Sequence, residues 1–202
     1  SGPTAARFPF QAVEILSRQP ETRVFANVDA ASISLSLGQA LVFIDGRTEA
    51  YSPEHWVKYG KLQKAGPESL EILNESGTRD VLLTLGGGSF HSLLKTLIQS
   101  PDWMLRHADT AGVLLRRPEK QHSSMKPTLA SFAILQAKPA DPFLSPTRQA
   151  DLYAAQATLL SLSGQMDMAE ERLQQGLNVC PKHPLLNHNL GNQLMQKGEN
   201  RA

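Results

Sequence analysis

The stretch Leu-Val-Phe-Ile-Asp-Gly-Arg at residues 41–47 decides the fold of the first part of this chain. Four apolar residues, most of which favour β-structure, lead directly into a charged corner that contains glycine. Such a run is typical of a strand that is buried on both faces of a sheet and ends at the sheet's carboxyl edge. We therefore predict a strand over residues 41–45 and a polar corner just beyond it.

The residues around this strand alternate between strand-like and helix-like patterns. Short apolar runs predict two further strands and a terminal antiparallel hairpin, and amphipathic segments bounded by Ser, Pro or Gly predict the helices between them. This alternation predicts an α/β domain over residues 1–117, built as a mixed sheet covered by helices. The predicted strands are 23–28, 41–45 and 80–85, the hairpin strands 103–107 and 111–116, and the helices 8–18, 30–37, 53–63, 67–76 and 89–99, with Ser52 and Ser89 as caps.

The composition is that of a globular protein with little charge bias. Of the 202 residues 41% are hydrophobic, and 20 Lys and Arg balance 19 Asp and Glu, which gives no electrostatic case for nucleic acid binding. Cys180 is the only cysteine, so there is no intramolecular disulfide, and both a cytosolic and a periplasmic location fit. No window approaches the roughly 18 apolar residues of a membrane span, and the first residues look like a cut in a longer protein or a tag scar.

Residues 118–148 differ from the domain that precedes them. Five prolines, with several Ser and Lys, break any regular pattern outside the apolar patch at 129–135. We predict a proline-rich linker that lies along a domain surface. From Gln149 onward the pattern is purely helical.

A period of 34 residues marks the helical segment at residues 149–202. The first helix repeats itself at this displacement in the pairs Tyr153/Asn187, Ala157/Gly191, Leu160/Leu194 and Gly164/Gly198. Together with small residues at Ala169 and Gly176 and a closing Pro181, the period resembles the tetratricopeptide repeat. The resemblance implies one full repeat plus the first helix of a second. Since such repeats need neighbours to bury a core, either further repeats follow or these helices dock on the α/β domain or on another chain.

Polar residues gather just beyond the predicted strand at 41–45. Asp45 and Arg47 stand at its carboxyl end, with Tyr51 and His55 close behind, and such positions bind ligands in open α/β sheets. The alternative is that Arg47 pairs with Asp45 or Asp29 and only satisfies the ends of elements.

The glycine run Gly86-Gly87-Gly88 before Ser89 is the second candidate binding turn. Gly87, Gly88 and Ser89 can form an anion nest at a helix start, although no Lys follows them as a phosphate loop requires. A turn with a serine cap is the alternative. A phosphate or sugar-phosphate site would need this turn and the Asp45/Arg47 corner at the same sheet edge, within roughly 10 Å. No acid–base pair or metal-ligand spacing is evident, so we expect no metal and no cofactor.

The concave face of the repeat helices is the other candidate binding surface, by resemblance to tetratricopeptide proteins. We expect it to contact a protein or peptide, or to pack on residues 118–148. Its mostly neutral residues would be Asp151, Ala154, Thr158 and Ser161 from the first helix and Leu185, His188, Asn192 and Met195 from the next. We interpret His183 and His188 as exposed residues at helix ends.

Five short motifs between residues 20 and 117 resemble those of a known kind of domain. They are Val24-Phe25, the Phe-Ile-Asp-Gly-Arg run at 43–47 with Tyr51 after it, Arg79-Asp80-Val81-Leu82-Leu83, Trp103-Met104-Leu105, and Asp109 with Val113-Leu114-Leu115-Arg116. The set is similar to the soluble carboxyl-terminal domain of multi-pass bacterial membrane proteins of the lipid-linked-sugar glycosyltransferase type. Because the catalytic acid of that family lies in its membrane part, the resemblance implies a noncatalytic extracytoplasmic domain.

These observations lead to one leading hypothesis and two alternatives. We expect a noncatalytic binding or scaffolding region of a larger membrane-anchored bacterial protein, on the extracytoplasmic (periplasmic) face, whose repeat helices contact a protein or peptide. One alternative is an enzyme domain that binds phosphate or sugar phosphate through Asp45, Arg47 and the turn at residues 86–89. The other is a cytosolic tetratricopeptide adaptor.

Overall fold

The computed structural model of this protein describes residues 9–18, 22–28, 30–31, 41–85, 88–118, 133–136 and 144–199. The chain divides into two compact units, Ser1–Thr128 and Leu129–Ala202. Much of the predicted linker, at residues 119–132 and 137–143, lies outside the described residues, as does most of the helix predicted at 30–37.

The first unit is built on a mixed sheet of five strands, which confirms the predicted α/β fold. In the order β2-β1-β3-β5-β4, the first three strands are parallel, and β5 runs antiparallel to both β3 and β4. The predicted hairpin is therefore present as β4 and β5. The strands are β1 at Arg23–Ala26, β2 at Leu41–Val42, β3 at Asp80–Thr84, β4 at Met104–Ala108 and β5 at Gly112–Arg116.

The helices of this unit begin and end largely where local signals predict. Ser52 caps α2 by accepting a hydrogen bond from the backbone N–H of His55, with Pro53 at the first helical position. The predicted cap at Ser89 is wrong, because the helix begins two residues later and Phe90 precedes it without a side-chain cap bond. The helices are α1 at Phe10–Ser17, α2 at Pro53–Lys64, α3 at Ser69–Glu75 and α4 at His91–Gln99, with a short 3-10 turn at Thr48–Ala50.

The strand predicted at 41–45 is shorter and less central than its apolar sequence suggests. Only Leu41–Val42 joins the ladder, as the outermost strand of the order, and Leu41 is 56% exposed. The prediction of a strand buried on both faces is therefore wrong. Ile44 and Asp45 are nevertheless buried, because the chain turns inward after the ladder ends. The apolar run thus serves an edge strand and a buried corner.

Both faces of strand β1 are covered by other residues of the unit. Val24 and Ala26 point to one face, where they pack in a cluster with residues of α1. Phe25 points to the other face, and its ring centroid lies 5.5–5.9 Å from those of Phe43, Phe90 and Tyr59. Edge-to-face contacts of this kind add to the apolar burial.

A buried carboxylate ties three strands together at the amino end of β3. Asp80 is fully buried and accepts a hydrogen bond from the Thr22 hydroxyl at 2.5 Å. The Arg116 guanidinium donates to both of its oxygens, at 2.7 and 2.6 Å. The sheet thereby gains a charge-assisted clasp across β1, β3 and β5.

The described residues of the second unit are mostly helical. Ser145 caps α6 and Pro146 opens it, three residues before the predicted start at Gln149. Buried Gln156 donates its side-chain amide to the Ile134 carbonyl at 2.6 Å, which explains a polar residue at a core position of α6. The helices are α5 at Ala133–Gln136, α6 at Pro146–Leu162, α7 at Met166–Val179 and α8 at Pro184–Glu199.

Gly176 in α7 lies close to residues of both α6 and α8. A Cβ atom built there would lie 2.6 Å from Leu186 Cδ1 and 2.9 Å from Tyr153 Cβ. A glycine stands here because Leu186 and Tyr153 leave no room for a methyl group.

We predict opposite effects for two glycine-to-alanine substitutions in this unit. Gly176→Ala should lower the free energy of unfolding by about 1–2 kcal/mol, since the overpacking cost exceeds the gain in helix propensity. Gly191→Ala in α8, where nothing lies within 4 Å of the added Cβ, should raise it by up to about 1 kcal/mol. Hydrogen exchange of peptides from α6–α8, read by mass spectrometry, measures both. Stabilisation by Gly176→Ala would contradict the tight crossing.

Candidate functional site

The carboxyl ends of the three parallel strands form one edge of the sheet. Strands β2 and β3 lie on opposite sides of β1, so the order changes direction at β1, which is where open α/β sheets place ligands. Asn27, just after β1, accepts a hydrogen bond from the Thr84 backbone N–H at 3.1 Å. This bond holds the ends of β1 and β3 side by side.

The Asp45 corner is a closed hydrogen-bonded unit. The Asp45 side chain is 2% exposed, and its carboxylate accepts from the Arg47 backbone N–H at 2.8 Å. The Arg47 guanidinium donates through Nε and Nη2, the latter at 2.6 Å, and the Tyr51 hydroxyl donates at 2.9 Å. The prediction that Arg47 pairs with Asp45 is confirmed.

The contacts within the corner change the pKa values of its three residues. Hydrogen bonds from Arg47, chiefly through its side chain, hold the pKa of the Asp45 carboxyl far below its usual range, although burial alone would raise it. The Asp45 carboxylate in turn raises the pKa of Arg47. Burial and the bond to Asp45 raise the pKa of Tyr51. Asp45 is thus a saturated acceptor that is ionised at neutral pH, which is the opposite of what a general base requires.

A chain of ring contacts runs from this corner toward the turn after β3. His55 is stacked between Tyr51 and Phe43, with centroid distances of 5.2 and 4.3 Å. Its Nε2 lies 2.5 Å from the Phe43 carbonyl oxygen. Beyond it the contacts continue through the pairs Tyr51/Trp56, Trp56/Tyr59 and Tyr59/Phe90.

Gly88 and Ser89, the described part of the glycine turn, follow β3 at the same edge as the Asp45 corner, because β2 and β3 are both parallel to β1. With one strand between them, two strand spacings of nearly 5 Å put the ends of β2 and β3 about 10 Å apart. Gly88 adopts a left-handed φ of 68°, and Gly88 and Ser89 are exposed. Gly87 lies outside the described residues.

Within the described ranges, no group of three or more His, Cys, Asp or Glu side chains could hold a metal ion. No helix in this part of the chain is long and apolar enough to cross a membrane.

A groove beside β2 is not predicted from the sequence. It has a volume of about 370 Å³ and lies between the edge strand and helices α2 and α3. Its lining comes from segments far apart in the chain, so no spacing rule could reveal it. The lining residues are Arg23, Val24, Leu41, Val42, Phe43, His55, Lys58, Glu75, Ser76 and Thr78.

The predicted concave residues of the helical unit are partly used in holding its helices together. Thr158 accepts a 3.5 Å contact from the Asn189 amide, and exposed His188 pairs with Asn192 at 3.0 Å. Ala154 is fully buried and is therefore not a surface residue. Asp151 lies 3.2 Å from the His183 ring.

His183 is buried, so its interpretation as an exposed helix-end residue is wrong. Its Nδ1 accepts the Leu186 backbone N–H at 3.4 Å, and Nε2 then carries the proton that is donated to Asp151. The imidazole therefore caps α8 and joins it to α6, a role that the bare spacing of histidines does not indicate.

Comparisons with known proteins add no relationship: no family model, no curated protein and no solved structure matches the chain.

We predict that Asp45→Asn removes a pH-dependent part of the stability. Because the pKa of Asp45 is lower in the folded chain, its ionised form stabilises the fold above the ordinary value of 3.8, and this stabilisation is lost as the pH falls below it. At pH 7 the variant should lose about 2 kcal/mol, the cost of charge-assisted hydrogen bonds. The difference from wild type should shrink between about pH 4 and pH 2.

Urea unfolding followed by the fluorescence of Trp56 and Trp103 measures this difference at each pH. Asp102→Asn is the matched control, since it makes the same chemical change at an exposed position. Equal losses in the two variants, or a difference that stays constant with pH, would contradict the assignment.

Proposed function

We propose that this chain is a noncatalytic binding and scaffolding region of a larger membrane-anchored bacterial protein, on its extracytoplasmic face, and that its helical unit binds a protein. The location and the anchor rest on the resemblance of residues 20–117 to the soluble domain of membrane glycosyltransferase-type proteins. The protein contact rests on the surface of α8.

The observation that carries the proposal is the unequal exposure of two equivalent leucines. Leu160 in α6 is 3% exposed, in the helix that packs against α7. Leu194, its counterpart 34 residues later in α8, is 54% exposed, and its neighbour Met195 is 63% exposed. The leucine that is buried in α6 is thus open to water at the equivalent position of α8. Neighbouring exposed apolar side chains on a helix are typical of a protein contact.

The saturated Asp45 corner supports a noncatalytic role for the first unit. Within the described residues, four donor groups of the corner itself make five hydrogen bonds to Asp45, and the ionised carboxylate is almost completely buried. A nucleophile or general base must reach its substrate, which this carboxylate does not. The corner therefore acts as a structural turn that holds Arg47 and Tyr51.

Photo-crosslinking tests the protein contact. A benzophenone amino acid replaces Met195 on α8 or, as the matched control, Met168 on α7, which is 49% exposed. In cells that make the parent protein, we expect a single defined protein adduct from position 195, at least about fivefold above that from position 168, because hot spots concentrate binding energy. Leu194→Glu should abolish it, since it places a charge in the apolar contact.

Three results would overturn the proposed contact. They are equal adducts at the two positions, an adduct that survives Leu194→Glu, and an adduct confined to the chain itself. Circular dichroism of Leu194→Glu shows whether the helices persist, and the exposure of Leu194 in the folded unit makes that the expected result.

A phosphate or sugar-phosphate site remains the second candidate, because the Asp45 corner and the glycine turn follow parallel strands of one sheet. Arg47, whose side chain is 67% exposed, would supply the cation, and Gly88 and Ser89 the backbone N–H groups. The carboxylate of this edge, Asp45, is buried and already accepts hydrogen bonds from Arg47 and Tyr51, so the candidate function is binding.

Titration with glucose 1-phosphate and with inorganic phosphate, followed by NMR, tests this second candidate. The amides of Arg47 and Gly88 should shift with one common dissociation constant, and Arg47→Gln should weaken binding about tenfold by loss of a charge-assisted pair. Arg106→Gln, at an exposed position of β4, is the control. Shifts at only one of the two turns would remove the shared site.

A further inference from the structure

The outer edge of β2 has hydrogen-bonding groups that point away from the sheet. Leu41 N–H donates to Thr22 O at 3.0 Å, and Phe43 N–H donates to Val24 O at 2.8 Å. In a parallel ladder the N–H and C=O groups of one residue point to the same neighbour. Leu41 and Phe43 therefore face β1, and Val42, between them, presents its N–H and C=O outward. Neither group of Val42 has a hydrogen-bond partner within the described part of the chain.

The groove of about 370 Å³ lies directly beside this edge. Its size is within the range of ligand sites, and half-open apolar side chains of β2 form one wall. Leu41 in that wall is 56% exposed, so a docked side chain would cover apolar surface that is now open to water.

The opposite wall of the groove carries an excess of positive charge. Among its lining residues, Arg23 and Lys58 carry positive charge and Glu75 carries the single negative charge. Arg23 donates to the Ser76 carbonyl at 3.1 Å, which fixes its guanidinium on that wall. Lys58 lies 3.5 Å from Glu75, with both side chains about half exposed, and an ion pair of this kind is weak enough to be exchanged.

These three features select one kind of occupant. We propose that the β2 edge and its groove bind an extended peptide segment of a partner protein, which adds to the sheet beside β2 through the backbone of Val42. Alternating apolar side chains of the segment would enter the groove against Leu41 and Phe43, and an Asp or Glu would pair with Lys58 and Arg23. This mode combines main-chain hydrogen bonds, which give affinity, with side-chain pockets, which give specificity.

The site is separate from the α8 contact in the helical unit, so failure of one leaves the other intact. It also differs from a phosphate site at the carboxyl edge, because none of the groove residues belongs to the Asp45 corner or the glycine turn.

Selection from a random heptapeptide library displayed on phage tests the proposal. The full chain is immobilised, and binders are counter-selected on the variant Val42→Pro, which lacks the outward N–H while the bonds of Leu41 and Phe43 to β1 remain possible. We expect enriched peptides with alternating apolar residues and an Asp or Glu. Synthetic copies should slow hydrogen exchange at the Val42 amide and bind Val42→Pro at least about tenfold more weakly.

Matched variants separate the backbone, packing and charge contributions. Val42→Ala truncates the side chain more than Val42→Pro does but keeps the N–H group, so binding should stay within about threefold of wild type. Lys58→Glu should weaken binding of the acidic peptides about fivefold or more, whereas Lys95→Glu, an exposed change of equal charge, should not. N-methylation of the peptide backbone gives a second test that does not depend on the folding of Val42→Pro.

The proposal is overturned by any of three results. The first is that no peptide is enriched on wild type over Val42→Pro. The second is that the enriched peptides leave the Val42 amide unprotected. The third is that the peptides bind Val42→Pro as tightly as they bind wild type, or that N-methylated peptides bind wild type as tightly as unmodified peptides do.

Discussion

The buried carboxylate of Asp80 fixes the register of the sheet on which the rest of the first unit is placed. Thr22 before β1 and Arg116 at the end of β5 both donate to it, so one charge joins three strands. A buried charge that loses its partner costs several kcal/mol, and a slip of one residue in either ladder would break the set. With the register fixed at this end, β1 and β3 end side by side at the other, where Asn27 joins them.

Local signals predict much of this fold because they depend on few neighbours. The Ser52-Pro53 pair predicts the start of α2, and the hairpin of β4 and β5 follows from its apolar runs. The role of residues 41–45 depends on strand order, which is set by contacts distant in sequence. A central strand and an edge strand that leads into a buried corner can have the same apolar sequence pattern. Only the ladder between β1 and β2 decides between them.

The same division applies to the binding surfaces. The Asp45/Arg47 pair spans two residues, so the sequence predicts it, whereas the groove beside β2 needs segments from residues 23 to 78 and has no local signature. In the helical unit the 34-residue period predicts which positions are equivalent, and helix propensity marks Gly176 as a weak point. Only the approach of Leu186 and Tyr153 explains why the glycine stands there. Helix propensity alone predicts that Gly176 destabilises α7, whereas the packing around it makes a glycine the best fit.

The shortness of β2 also bears on solubility. An exposed sheet edge usually invites copies of the same chain to pair without limit, and proteins protect such edges with brevity and with charge. Here the ladder ends after two residues, and Ile44 and Asp45 shortly beyond it are buried. If the β2 edges of two identical chains came together, Lys58 and Arg23 of one chain would also be repelled by the same positive residues of the other. The proposed edge site would therefore accept an acidic strand of another protein but resist pairing with copies of itself. The same few residues favour the first contact and oppose the second.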